Sequence, residues 1–142
     1  MKSARTLITT CLLLTAATLL AQTESQRLMK VNVPFTFGVE NHSLPAGEYT
    51  VFTVTPERSI RIVSADGKHS AVINTLANYA NEPSTKSSLV FHKYGDDYFL
   101  VQVWTAGQNV ARNPLSSKKA MKIASSGGRP ETFTVFALAE RR

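Results

Sequence analysis

The sequence predicts a mainly β protein, an antiparallel β-sandwich or a small barrel of about six to eight short strands with one α-helix in the C-terminal half. Three observations lead to this fold class. Apolar and polar residues alternate with the period of half-buried strands. Turn signals containing glycine, proline or aspartate recur at intervals of roughly 8 to 12 residues. The length of 142 residues and the hydrophobic content of 43% suit one globular domain.

The N-terminal segment is typical of a secretory signal peptide. Two basic residues within the first five precede an uncharged apolar run over residues 7–20, and a polar stretch follows Ala21. The run is shorter than the roughly 20 residues of a membrane-spanning helix, and no later run approaches that length. We therefore predict a signal peptide over residues 1–21, with cleavage after Ala17 as the alternative. The remainder, residues 22–142, is expected to form a single exported β domain without a transmembrane segment.

Removal of the signal peptide changes what the composition implies. The segment contains two of the 16 basic residues and Cys11, which is the only cysteine, so the mature domain has none. Thiol catalysis, disulfides and cysteine-ligated metals are then excluded. Most of the remaining positive charge lies in residues 112–142, which hold seven basic and two acidic side chains.

The first half of the mature domain is predicted to form strands. Valine and phenylalanine alternate with polar residues over residues 31–37. Because proline cannot donate a hydrogen bond to a neighbouring strand, Pro34 predicts that this strand lies at a sheet edge or pairs on only one side there. A turn at residues 44–47 then leads into a strand over residues 48–55.

A hairpin around Asp66-Gly67 is predicted next. Asp-Gly favours a two-residue type I′ turn, here between strands at residues 60–64 and 69–75. The register that this turn imposes pairs apolar residues on one face, Ile60 with Ile73 and Ile62 with Ala71.

A second hairpin is predicted from residues 88–94 and 98–104 around the three-residue loop Gly95-Asp96-Asp97. In the favoured register Leu89 faces Val103 and Phe91 faces Val101, which gives the purer apolar face. A slip of one residue would exchange the two faces.

The sequence pattern then predicts a helix over residues 114–125, with Asn113 as N-cap and Pro114 as its first residue. The apolar residues Leu115, Ala120, Ile123 and Ala124 can cover one helical face, with three lysines on the other. A Ser-Ser-Gly-Gly stretch ends the helix, and a final strand is predicted over residues 132–139.

Two sequence blocks resemble an uncharacterised family of small secreted bacterial β-rich proteins. The first block reads VNVPFTF from Val31, followed by LPAGEYTV from Leu44. The second reads LVFHKYGD from Leu89, followed by YFL from Tyr98. The resemblance implies export and a β-rich domain, and it implies no catalytic residue.

No motif in the mature domain points to catalysis or to a cofactor. The histidines His42, His69 and His92 lack a ligand spacing such as HxH or HxxxH. Asp96 and Asp97 adjoin in a loop, but a Ca²⁺ cage needs six to eight oxygens and no EF-hand spacing surrounds them. Gly-x-Ser-x-Gly and glycine-rich phosphate loops do not occur. We therefore expect no catalytic residue, no metal and no cofactor.

Two surfaces could bind a partner. An aromatic face is predicted from the second hairpin, consisting of His92, Tyr94, Tyr98 and Trp104. A basic face that could hold an anionic partner is predicted from the C-terminal region, consisting of Lys118, Lys119, Lys122, Arg129, Arg141 and Arg142.

These observations favour a non-catalytic β domain, periplasmic or extracellular, that acts by binding or assembly. The expected partner is an envelope component, a polysaccharide or a protein, and a nucleic acid is not expected because the chain is exported. Two alternatives stay open: a small barrel that binds an apolar or carbohydrate ligand, and a secreted hydrolase whose site has no recognisable motif.

Overall fold

The structure, a computed structural model, describes residues 25–140 and confirms the mainly β fold class with one helix in the C-terminal half. The described chain forms ten strands and one helix. They are β1 (Arg27–Val33), β2 (Phe37–Val39), β3 (His42–Leu44), β4 (Gly47–Thr55), β5 (Ser59–Ser64), β6 (Ser70–Tyr79), β7 (Ser88–Tyr94), β8 (Asp97–Trp104), β9 (Val110–Pro114), α1 (Lys118–Ser125) and β10 (Glu131–Phe136). The predicted signal peptide lies outside the described residues.

The strands form a sandwich-like sheet that is not closed into a barrel. Its order is β1-β4-β5-β6-β9-β8-β2-β3, and β8 also pairs β7, which in turn pairs β10. The long strand β6 joins the two layers, because residues 70–74 pair with β5 whereas residues 75–79 pair with β9. One pair, β2 with β8, is parallel, so the sheet is mixed where an antiparallel one was predicted.

The core lies between the two layers. Its largest fully buried side chains come from seven strands: Tyr49, Phe37, Phe91, Ile60, Ile62, Ile73, Leu89, Val31, Val33, Val39, Val51 and Val103. Aromatic rings meet edge to face at its centre, with the Phe91 ring centroid 5.3 Å from that of Phe37 and 4.9 Å from that of Phe35. Burial of this apolar surface is the main stabilising contribution.

The first predicted hairpin is confirmed, including its register. Ile60 lies opposite Ile73, and Ile62 lies opposite Ala71.

The strand predicted over residues 31–37 is interrupted at Pro34. Its first part, β1, stands at the end of the strand order, as expected for an edge, whereas Phe37 begins β2, which pairs with β3 and β8.

The second predicted hairpin is confirmed only in part. Leu89 does pair with Val103, but Phe91 pairs with Leu100 instead of Val101. A β-bulge explains the difference, because it places one extra residue, Val101, on β8 between the two pairs and so changes which side chains face inward. The loop is also tighter than predicted, since Tyr94 pairs directly with Asp97.

The predicted helix start at Pro114 is wrong, and the helix begins at Lys118. Asn113 and Pro114 extend β9, where they pair with Leu76 and Thr75 of β6. The N-cap is Ser117, whose hydroxyl accepts a hydrogen bond from the Ala120 backbone N–H at 3.0 Å. The helix ends at Ser125 as predicted, but none of its residues is fully buried.

The last strand spans Glu131–Phe136, shorter than the predicted residues 132–139. Beyond it the chain runs beside β1, where the Leu138 backbone N–H donates to the Lys30 carbonyl at 2.8 Å and Glu140 forms an ion pair with Arg27 at 2.7 Å. No helix within residues 25–140 has the length and apolar character needed to cross a membrane.

Candidate functional site

The predicted aromatic surface does not form one continuous platform. Residues that pair across strands share a face of the sheet, and His92 pairs with Phe99 whereas Tyr98 pairs with Lys93. Because neighbouring positions on a strand point to opposite faces, Tyr98 lies on the face opposite His92 and Tyr94. The ring of Tyr98 stacks on Phe35 with centroids 3.7 Å apart, at the rim of the core.

The other three residues of the predicted aromatic surface share the outer face but are spread along it. Trp104 pairs with Ser88, four residues along β7 from His92, which corresponds to about 13 Å. The indole N–H of Trp104 donates to Gln102 at 3.3 Å. Tyr94 is close to the segment after α1, since a methyl group at Gly128 would lie 3.3 Å from its ring. A flat ligand could therefore not stack on all of these rings together.

The predicted basic surface is exposed but partly neutralised. Lys118 and Lys122 are exposed one turn apart on α1, whereas Lys119 forms an ion pair with Asp97 at 3.1 Å. Arg129 is exposed in the segment that joins α1 to β10. Arg141 and Arg142 lie outside the described residues.

A polar cleft of about 480 Å³ separates the β2–β3 turn, the β7–β8 turn and the start of α1. Its lining includes His42, Asp96, Asp97, Tyr98 and Lys119. Within residues 25–140 no three histidine, cysteine, aspartate or glutamate side chains are grouped so that they could hold a metal ion. The cleft can therefore offer hydrogen bonds and charge to a polar ligand.

The outer edge of β10 has backbone groups that are free to bind. The backbone N–H of Ala137 donates to the Ser87 carbonyl, which continues the pairing with β7. In an antiparallel pair every second residue, here each one that alternates with Ala137, directs its N–H and C=O groups away from the partner strand. Those positions within the strand are Thr132, Thr134 and Phe136. Among the described residues, β10 pairs with β7 alone.

Exposed apolar side chains accompany this edge. Phe136 is 56% exposed and Phe133 is 38% exposed. A lysine ammonium lies close to each ring, with Lys86 5.3 Å from the Phe136 centroid and Lys93 5.7 Å from the Phe133 centroid. The edge therefore combines unpaired backbone, apolar surface and positive charge.

One charged residue of the described chain lies in the interior, a placement that the sequence pattern was not used to predict. Arg112 was counted with the basic C-terminal region, but only 5% of it is exposed. Its Nε and Nη1 atoms are buried and have no hydrogen-bond partner among the described residues. Burial lowers the pKa of the guanidinium, and the Glu57 carboxylate opposes that effect. The alternation of Val110, Arg112 and Pro114 was the available signal, because it is the pattern of a strand.

Comparisons of the chain with protein-family models, with curated proteins and with solved structures found no match. The functional conclusion therefore depends on the geometry of the chain itself.

Proposed function

We propose that this chain is an exported, non-catalytic β domain that acts by binding or assembly. It pairs the open edge of β10 with an extended segment of an envelope partner. The observation that carries this proposal is the row of unpaired backbone groups at Thr132, Thr134 and Phe136. An edge of this kind is a template for another strand unless charge, proline or a covering segment blocks it.

The side chains at the edge favour pairing with a partner. Proteins commonly blunt an edge with inward-pointing charges or proline, and here Pro130 directly precedes β10 and Glu131 begins it, whereas residues 132–136 contain neither. Threonine and phenylalanine are good strand formers, and the exposed rings of Phe133 and Phe136, which lie on opposite faces, offer an apolar contact on each face of an added strand. Lys86 and Lys93 next to these rings favour a partner segment that also has acidic residues.

The length of the paired segment is limited by the fold. At Leu138 the same edge is occupied, because its N–H donates to Lys30 of β1. Because β1 also contacts β10 itself, an added strand can use at most the edge from Glu131 to Phe136, which is about five or six residues of partner. Backbone hydrogen bonds would supply affinity, and the exposed rings would supply selectivity.

The interior supports binding at an edge over the enclosure of an apolar ligand. Tyr49, Phe37 and Phe91 fill the space between the layers and are at most 1% exposed. A second candidate function, binding of a carbohydrate or another small polar ligand, is favoured by the 480 Å³ cleft with its mixed charges. Titration with a saccharide panel, comparing the wild type with Asp96→Asn, tests that candidate separately.

The experiment for β10 removes one outward donor without disturbing the β7 side. Thr134→Pro eliminates an N–H that points away from β7, whereas Thr134→Val keeps the N–H and the shape of the side chain. We expect the wild type and Thr134→Val to retain the same partner from envelope extract and Thr134→Pro to lose it.

A second readout identifies the mode of binding. Hydrogen exchange of the complex with the retained partner should show new protection at the amides of Thr132, Thr134 and Phe136. Retention by all three proteins, or protection elsewhere only, contradicts strand addition. Retention that disappears at high salt in all three proteins would instead assign binding to the lysines of α1.

A further inference from the structure

Arg112 lies in the interior of the sandwich because of its register. It pairs with Val103 on β8, which is fully buried in the core, and with Ala77 on β6. Directly paired residues share a face, so the Arg112 side chain is on the inner side. Only 5% of the residue is exposed.

The guanidinium in this position forms no ion pair with another described residue, and the charge of the Glu57 carboxylate only partly offsets its burial. The ion pairs within residues 25–140 are Arg27 with Glu140 and Lys119 with Asp97, and neither includes Arg112. Burial of an unpaired charge is among the costliest arrangements in a protein interior. Two of the guanidinium nitrogens, Nε and Nη1, lack a hydrogen-bond acceptor.

Other buried polar groups without a partner occur elsewhere in the described part of the sandwich. The Thr105 hydroxyl, directly after β8, and the Thr53 hydroxyl, on β4 of the facing layer, are buried without a partner as well. Hydroxyl groups can donate as well as accept. Arg112 is the member of this set that can only donate, whereas the buried Asn113 Oδ1, which also has no partner among the described residues, can only accept.

Exposed residues lie on β6 beside the position opposite Arg112. Ala77, opposite Arg112, is exposed and ends in a methyl group, and Tyr79 further along β6 is 66% exposed. The turn between β4 and β5 forms the rim here, where the Tyr79 hydroxyl donates to the Glu57 carboxylate at 3.4 Å. A small ligand that reaches Arg112 would have to enter between this turn and the end of β6.

We propose that Arg112 is the anchor of a binding site for an oxyanion, a carboxylate or phosphate group that enters past Ala77. The planar guanidinium matches such groups with paired hydrogen bonds, and the low-polarity surroundings strengthen them. Glu57 at the rim works against an anion, so it limits the affinity of the site. The site is separate from the β10 edge and does not depend on the function proposed for it.

The test uses isothermal titration of the purified protein with inorganic phosphate and with acetate, at constant ionic strength in chloride. We expect one site per chain. Arg112→Met, which keeps most of the side-chain volume, should weaken binding at least about tenfold, the range of hydrogen bonds to charged groups. Arg58→Gln, which removes an exposed arginine from the rim turn, should leave the affinity within about twofold.

Glu57→Gln should raise the affinity for the anion, the opposite of the effect of Arg112→Met, because it removes the negative charge of the rim carboxylate. Preference for acetate identifies a carboxylate as the natural group, and preference for phosphate identifies a phosphoryl group.

An NMR measurement on the wild type tests the proposal without any variant, so it is unaffected if a variant does not fold. The Nε–H resonance of Arg112 should shift and exchange more slowly with solvent when the anion is added. The proposal is overturned if neither anion binds the wild type, if Arg112→Met binds equally well, or if this resonance does not respond.

Discussion

The β-bulge in β8 leads to a prediction that separates two registers of the second hairpin. Leu100 lies opposite Phe91 and is 4% exposed, whereas the extra residue Val101 is half-buried. The regular alternation expected from the sequence would instead place Val101 in the core. Truncation of each side chain to alanine therefore measures which of the two residues fills the interior.

The expected magnitudes follow from burial. Leu100→Ala removes a buried side chain next to the Phe91 ring and should lower the free energy of unfolding by about 2–4 kcal/mol. Val101→Ala removes fewer atoms from a half-buried position and should cost about 1 kcal/mol or less.

Urea denaturation followed by circular dichroism measures the free energy of unfolding of both variants. The values are comparable when the slope of this free energy against urea concentration is the same as in the wild type. Val63→Ala, also a half-buried valine within a strand, is the matched control for the smaller effect. If Val101→Ala lowers the free energy of unfolding as much as Leu100→Ala does, the prediction is wrong, because the bulge would then not determine which side chains face the core.

Three further predictions concern single interactions. Tyr49→Phe should destabilise the fold by about 1 kcal/mol in urea denaturation, because the hydroxyl donates to the Pro45 carbonyl; an unchanged midpoint would contradict this. The Ser64 hydroxyl lowers the pKa of Asp66, so the stability from this carboxylate is present above the ordinary aspartate pKa and is lost as the pH falls through the lowered value. Ser64→Ala should raise that pKa in an NMR titration, and an unchanged titration would argue against the hydrogen bond. Gly128→Ala should lower the melting temperature, because the added methyl group would lie 2.9 Å from a carbonyl of α1; an equal or higher value would show that the helix end can shift.

Local chemistry made the first hairpin predictable. An Asp-Gly turn fixes the register by itself, and the apolar pattern of Ile60, Ile62 and Ile73 agrees with that register. The bulge in β8 has no comparable signal, because residues 98–104 are apolar or aromatic at most positions and satisfy two registers almost equally. Only contact with Phe91 and the parallel strand β2 selects between them.

The helix start and the interior arginine were missed for a shared reason. Asn113 and Pro114 are good first residues of a helix, yet they also suit the end of a strand, where the missing N–H of proline interrupts no hydrogen bond between strands. Pairing of β9 with β6 makes them part of a strand, and that pairing joins residues more than 30 positions apart. Once β9 forms, alternation directs Arg112 inward, so the error about the helix also concealed the candidate anion site.

The two proposed sites lie on the same layer and should act independently. Arg112 is on β9, and β8 and β7 separate that strand from β10, which corresponds to about 14 Å at ordinary strand spacing. Substitutions this far apart without shared partners usually have additive effects. Thr134→Pro should therefore leave phosphate affinity unchanged, and Arg112→Met should leave partner retention unchanged. If either substitution abolishes both activities, the layer transmits a change between β9 and β10, and the β10 edge and the interior would have to be treated as one site.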